Sequence, residues 1–257
     1  MSFKWWPVRR TVQLGVIALI ASPLFGLNIF KGNLAAGDFL GITLVDPLAF
    51  LQATLASRVF VATFLGAAVI VTTIYFSAGG RTFCGWICPI YLMTEIGDKL
   101  RSRLGTGVRT FALSGTRWAL LMTIVVAIIT GFPLFEILSP IGITTRAIMF
   151  KAWFPLLLPA VIIVVEISLA RRIWCRSICP VGGYYALMGR YSPVRIGFNK
   201  ERCTGCGECS NCCPVEEVLE PVLSGNLRQV VSGDCTRCAD CIDICPTRAL
   251  KIDVWYK

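Results

Sequence analysis

An all-α membrane bundle of four helices, followed by a small α+β domain built around cysteines, is the fold class this sequence predicts. Three observations carry that expectation. Of 257 residues 55% are hydrophobic and only 16% charged, with a mean hydropathy of +0.69, too apolar for an ordinary soluble surface. Four apolar stretches, about residues 12–30, 59–76, 118–135 and 152–170, are each close to the length of a bilayer crossing. After them, eight of the nine cysteines from Cys203 to Cys245 repeat one spacing twice. The expected division is therefore residues 1–190 for the membrane part and 191–257 for the cysteine-rich domain.

Taken in order, the chain opens with Lys4, Arg9 and Arg10 beside Trp5 and Trp6, at the level of an interfacial aromatic belt. Val12 to Phe30 then gives an apolar stretch of nineteen residues, roughly 28 Å of helix. It is too long for a signal-peptide core, and Pro23 and Gly26 are expected to kink or thin its far end. Lys31 to Arg58 reads as a mixed connection. The second span ends in R-T-F-C-G-W-I-C-P, Arg81 to Pro89. Pro89 suits a helix start, and Ile90 to Leu104 reads as an interfacial amphipathic helix with Lys99, Arg101 and Arg103 on its wet side. The connection after the third span holds Glu136, Pro140, Arg146 and Lys151; the fourth span runs into R-R-I-W-C-R-S-I-C-P, Arg171 to Pro180. Gly189 to Lys200 reads as a hinge.

Basic residues gather at the N-terminus, between spans two and three (Arg81, Lys99, Arg101, Arg103, Arg109, Arg117) and after span four (Arg171, Arg172, Arg176, Arg190, Arg195). The other two connections carry few and balance them with Asp38, Asp46 and Glu136. The positive-inside rule then puts both termini and the cysteine-rich domain in the cytoplasm of a bacterial inner membrane protein. The same distribution makes the net charge of +10 a membrane signal and not a nucleic-acid footprint.

The repeated spacing is Cys-x-x-Cys-x-x-Cys-x-x-x-Cys-Pro, from Cys203 to Pro214 and again from Cys235 to Pro246. It is the bacterial ferredoxin run for two 4Fe-4S clusters, in which each loop supplies three thiolates and exchanges the fourth. Cluster one thus takes Cys203, Cys206, Cys209 and Cys245, and cluster two takes Cys235, Cys238, Cys241 and Cys213; Cys212 is spare. Zinc sites need neither the third cysteine nor the Cys-Pro ending, and a disulfide framework belongs to small secreted chains. The chain has thirteen cysteines and no histidine, which excludes a bis-imidazole haem, a Rieske centre and histidine-ligated metals.

Cys84-Gly-Trp-Ile-Cys88-Pro89 and Cys175-Arg-Ser-Ile-Cys179-Pro180 follow spans two and four, so the membrane part reads as a duplicated unit of two spans plus one Cys-x-x-x-Cys-Pro. Packed about a pseudo-twofold axis, the four thiols could hold a third cluster or a metal, cycle as dithiols, or simply fill space. Glu166, near the end of span four, is a candidate acceptor for a quinol proton, unless it pairs with Arg171 or Arg172. Trp86 and Trp174 are candidates for lining a quinone headgroup pocket.

These residues also resemble a family. W-W-P-V-R-R at Trp5 to Arg10, G-N-L at Gly32 to Leu34, D-P-L with L-Q at Asp46 to Gln52, both Cys-x-x-x-Cys-Pro motifs and the double cysteine run are similar to NapH. That family comprises membrane ferredoxin-type subunits of periplasmic nitrate reductase systems, within a broader group from methylamine dehydrogenase maturation, nitrous oxide reduction and cytochrome oxidase assembly. The resemblance implies a quinol dehydrogenase component: electrons leave the quinone pool and reach a periplasmic reductase through a NapG-type ferredoxin-like partner and a small cytochrome. A maturation factor that reduces a client's metal or thiol would carry the same cysteines. A passive anchor would have no use for eight cluster ligands.

Overall fold

The computed structural model describes residues 4–26, 30–32, 36–39, 41–104, 115–133, 135, 139–151, 154–168 and 171–254. Glu136, Arg109, Asn33 and Leu34 lie outside the described residues. Contacts divide the chain into two units. The first comprises residues 1–13, 75–87 and 185–257, and the second 14–74 and 88–184.

The apolar stretches form helices whose ends are set by glycine and proline. Helix α1, Trp5–Ala21, begins seven residues before the expected span, and a 3-10 turn, Ser22–Phe25, ends at Gly26 in the left-handed region (φ 74°). Pro23 and Gly26 therefore end the helix instead of kinking it, and Phe30 already belongs to a strand. Helix α3, Ala62–Ala78, stops at Gly79 and Gly80, both at positive φ. Among the described residues one helical run, Trp5–Phe25, is both long and apolar enough to cross a membrane; Ala62–Ala78, Gly115–Thr130 and Phe154–Ser168 are shorter apolar helices.

In the second unit the connection read as Lys31 to Arg58 carries structure of its own. Strands β1 (Phe30–Gly32), β2 (Ala36–Phe39) and β3 (Ile42–Val45) form an antiparallel sheet, with Asp38 accepting the Gly41 N–H at 2.8 Å in the β2–β3 turn. Asp46 then caps helix α2, Pro47–Ser57, by accepting the Leu48 N–H at 2.8 Å, with Pro47 in the first turn. Helix α5, Pro89–Leu104, has the expected bounds, but its polar face is not uniformly wet: Lys99 is exposed, whereas Arg101 is buried and donates to the Glu166 carbonyl at 3.2 Å. Helix α5 packs on helix α8, Leu157–Ser168, with Gly97 facing the side chains of Ile163 and Ile167. Helix α6 is Gly115–Thr130 and packs on α2; helix α7, Pro140–Phe150, occupies the connection before α8.

In the first unit a short helix α4, Thr82–Trp86, follows Gly80, and helix α9, Pro180–Gly189, leads into strand β4, Val194–Phe198. β4 pairs antiparallel with β5, Leu250–Val254, from Val194↔Val254 to Phe198↔Leu250, so the segment expected to be a hinge contains a sheet strand. Short helices α10 (Glu208–Cys212), α11 (Glu220–Leu223) and α12 (Asp240–Ile244) complete the unit, with α10 packed on α12. Gly233 makes the tightest approach: a methyl group there would lie 1.9 Å from the Ala186 carbonyl.

Candidate iron–sulfur site

Both ligand loops turn through the same backbone path. Gly205 and Gly207 in the first loop and Arg237 and Ala239 in the second all have positive φ, at 72°, 77°, 49° and 66°. Such turns point successive thiols to one side, which is what three corners of a cube require. A pocket is lined by Cys213, Cys235, Cys238 and Cys241, the set expected for cluster two, together with Ile196 and Arg237. Cys213, expected as the exchanged fourth ligand, thus stands beside the other loop.

The chemistry of this donor set fits a cluster. Burial pushes the thiols of Cys213 and Cys241 well above their usual range, and the neighbouring thiols of Cys235 and Cys238 push them further. Burial likewise raises Cys238 to about 11. Four thiolates cannot ionise together in an apolar pocket unless cations sit among them, and iron supplies them. Among the described residues no three His, Cys, Asp or Glu converge tightly enough for a single metal ion.

The first loop is wetter: Cys206 is exposed, and Cys209 is raised by burial and then by the thiols of Cys203 and Cys206. Partial burial would raise Cys245, but hydrogen bonds from the Ala249 N–H, at 3.3 Å, and from Thr247 outweigh it and lower the thiol. Cys212 donates to the Cys209 carbonyl at 3.4 Å and stands near Cys213 and Cys241.

Residues that the sequence reading assigned to the membrane edge hold the second loop. Arg9, fully buried, donates to the Cys238 carbonyl and to Asp240. Arg81, also buried, donates to the carbonyl of Asp234 and to its carboxylate at 3.2 Å. The backbone N–H groups of Trp5 and Trp6 donate to the Asp243 carboxylate at 2.9 and 2.6 Å. Trp86 donates its indole N–H to the Arg237 carbonyl at 3.0 Å and packs edge-on against Trp5. Gln13 donates to the Gly85 carbonyl at 2.9 Å, and a methyl group on Gly85 would lie 2.9 Å from the Thr236 carbonyl. The turn that carries Cys84 is therefore pressed on the loop between Cys235 and Cys238.

The two Cys-x-x-x-Cys-Pro motifs share a local form. Cys84 sits in α4 and Cys88 precedes the first residue of α5; Cys175 sits in a π-helical turn, Trp174–Ile178, and Cys179 precedes the first residue of α9. In each the first cysteine is half-buried and the second buried. Cys84 belongs to the first unit and Cys88, Cys175 and Cys179 to the second. No disulfide joins the thirteen cysteines.

Glu166 is buried; one carboxylate oxygen accepts the Trp174 N–H at 3.3 Å, and the other has no hydrogen-bond partner among the described residues. Among the described residues Glu166 forms no salt bridge with Arg171 or Arg172, which bind Asp98 at 3.5 and 2.5 Å; Arg172 stacks over Tyr91 and stands within electrostatic reach of Glu166.

A family described as a 4Fe-4S binding domain matches the chain twice, at residues 59–106 and 152–199, and a 4Fe-4S dicluster domain matches residues 195–246. The twofold match covers both Cys-x-x-x-Cys-Pro units. The methylamine utilization ferredoxin-type protein MauN of Paracoccus denitrificans is 35% identical over 90% of this chain and 83% of its own. The ferredoxin-type protein NapH of Haemophilus influenzae is 34% identical over 87% and 78%, and that of Escherichia coli 31% over 86% and 79%. No solved structure matches.

Proposed function

Because the chain belongs to the family of ferredoxin-type proteins that contains NapH and MauN, and so is an iron–sulfur electron-transport protein, we propose that it is a membrane subunit that draws electrons from quinol. It delivers them toward a periplasmic reductase, with nitrate reductase as the leading candidate, through a NapG-type ferredoxin-like partner. The observation that carries this reading is the packing of α4, with Cys84, on the loop between Cys235 and Cys238. It joins the membrane-edge motif to the cluster-two pocket.

The membrane reading is supported by the outward apolar faces of the helices. Phe64, Val69, Ile70 and Ile74 on α3, Trp118, Met122 and Ile129 on α6, and Val161 and Val164 on α8 are all exposed. In water such a surface would aggregate; in hydrocarbon it is solvated. We propose four spans, with both termini and the cluster domain on the cytoplasmic side.

When bound, the clusters supply one-electron transfer, and the protein supplies the rest. Quinol oxidation releases two protons with its two electrons, so a buried base must stand at the headgroup. Glu166 offers one carboxylate oxygen fixed by the Trp174 N–H and a second open to accept a proton. Trp174 would line that headgroup site, whereas Trp86 is engaged with Arg237. The thiols of Cys84 in the first unit and of Cys88, Cys175 and Cys179 in the second would serve as redox groups, each within its own unit.

Anaerobic mixing of the purified protein with a menaquinol analogue tests this. The wild type should reduce, and Cys84→Ser with Cys175→Ser, or Glu166→Gln, should slow reduction at least tenfold with cluster iron retained in Cys203 to Cys245. No reduction by any quinol points instead to a maturation factor.

A further inference from the structure

Arg237 is a buried cation that no carboxylate among the described residues answers. It is 5% exposed and spends its hydrogen bonds on three backbone carbonyls: Nε donates to Val194 at 3.0 Å, Nη1 to Cys235 at 2.9 Å and Nη2 to Gly189 at 2.9 Å. Among the described residues it makes no ion pair with a carboxylate, unlike Arg9 and Arg81, which pair with Asp240 and Asp234. The Cys235 thiol stands close enough to favour its charge, and Arg195 close enough to oppose it. Burying an unpaired guanidinium is strongly unfavourable, so such a group persists where an anion answers it.

The backbone is shaped to admit this side chain. A methyl group on Gly79 would lie 2.2 Å from Arg237 Cδ, and one on Gly189 would lie 3.1 Å from its Nη1. The residue itself sits at φ +49°, a left-handed conformation that strains a residue with a side chain. Alignment of the two ligand loops supplies an internal comparison. Position 237 in Cys235-Thr-Arg-Cys238 corresponds to Gly205 in Cys203-Thr-Gly-Cys206, at φ +72°. The first loop takes the residue the turn prefers, and the second takes an arginine against that preference.

Arg237 lines the same pocket as Cys213, Cys235, Cys238 and Cys241, and its guanidinium lies within electrostatic reach of the Cys235 thiol. We infer that Arg237 is the countercharge of the second 4Fe-4S cluster and raises that cluster's reduction potential without acting on the first. Four thiolates around the cube leave the site negative, and reduction adds one more electron. A fixed cation in a pocket of low dielectric favours the reduced state. A cluster tuned upward in this way is suited to a donor as weakly reducing as quinol, so the inference rests on the proposed quinol reading.

The test is an anaerobic spin-resonance redox titration of the full-length protein in detergent, with iron counted in parallel. Wild type, Arg237→Gln and Arg237→Lys are compared. With about eight iron retained in these loops, Arg237→Gln should move one of the two cluster waves to lower potential and leave the other in place, and Arg237→Lys should stay near wild type. Two unmoved waves in an iron-replete Arg237→Gln protein would overturn the inference and leave Arg237 a backbone tie. If the glutamine variant loses iron, the lysine variant decides: it keeps the charge and loses the fork, so an unmoved wave supports the inference and a lowered one overturns it. A shifted wave in a protein that no quinol reduces would sink the quinol reading alone.

Discussion

The guanidinium of Arg9 donates to the Asp240 carboxylate at 2.8 Å and to the Cys238 carbonyl at 3.2 Å, tying the first helix to a cluster-ligand loop 231 positions away. Arg9 is fully buried and Asp240 is partly exposed. The contact therefore shields a backbone carbonyl between two ligands from water.

Replacing Arg9 by methionine keeps most of the packing volume and removes the donors. It leaves the Cys238 carbonyl and the Asp240 carboxylate short of a partner, at a cost of about 1–3 kcal/mol. The melting temperature of the detergent-solubilised protein should fall, and proteolysis between residues 190 and 257 should quicken. Unchanged melting would mean that the N-terminal segment does not brace the loop.

Cys212 and Cys213 are neighbours with different expected duties. Cys213 lines the pocket with Cys235, Cys238 and Cys241, whereas Cys212 donates to the Cys209 carbonyl. Cys213→Ser should lose about four iron per chain, one cube. Cys212→Ser should retain them. Equal iron loss in both would show that the fourth ligand of cluster two is misassigned.

Asp46 links stability to pH. Burial pushes its carboxyl up to about 6 from 3.8, against the opposing hydrogen bonds of the Leu48 and Ala49 N–H groups. The folded state then holds the proton more tightly than the unfolded one, so this residue's contribution is full below about pH 4 and is lost as pH rises to about 6. Asp46→Asn keeps a cap and removes the titration; its melting temperature should gain on wild type across that window. Asp46→Ala should lose about 1 kcal/mol of capping at every pH. Parallel pH curves for wild type and Asp46→Asn would contradict this account.

The ligand loops were legible in the sequence because each packs its three thiols within seven residues, where spacing alone dictates geometry. The braces around them were not. Arg9 and Arg81 read as topology charges and Trp5, Trp6 and Trp86 as interfacial aromatics, yet Arg9 and Arg81 are buried, and their partners lie more than 150 positions away. No local pattern marks such pairings. The substitution of Arg237 for the glycine of the first loop was a signal present in the aligned repeats, visible once the positive φ at both positions is known. Span ends shifted for local reasons: Gly26, Gly79 and Gly131 adopt left-handed or extended positive-φ conformations that stop helices inside otherwise apolar runs. Helix α2 went unread although Asp46-Pro47 is a start signal, because it lies in a stretch taken as a loop between spans.

The most direct test of the central claim is anaerobic spin resonance with iron analysis on wild-type protein before and after addition of a menaquinol analogue. The account predicts at least about eight iron per chain and two reduced 4Fe-4S signals that grow as quinol is consumed. Intact clusters that stay oxidised with every quinol offered, while dithionite reduces them, would contradict it.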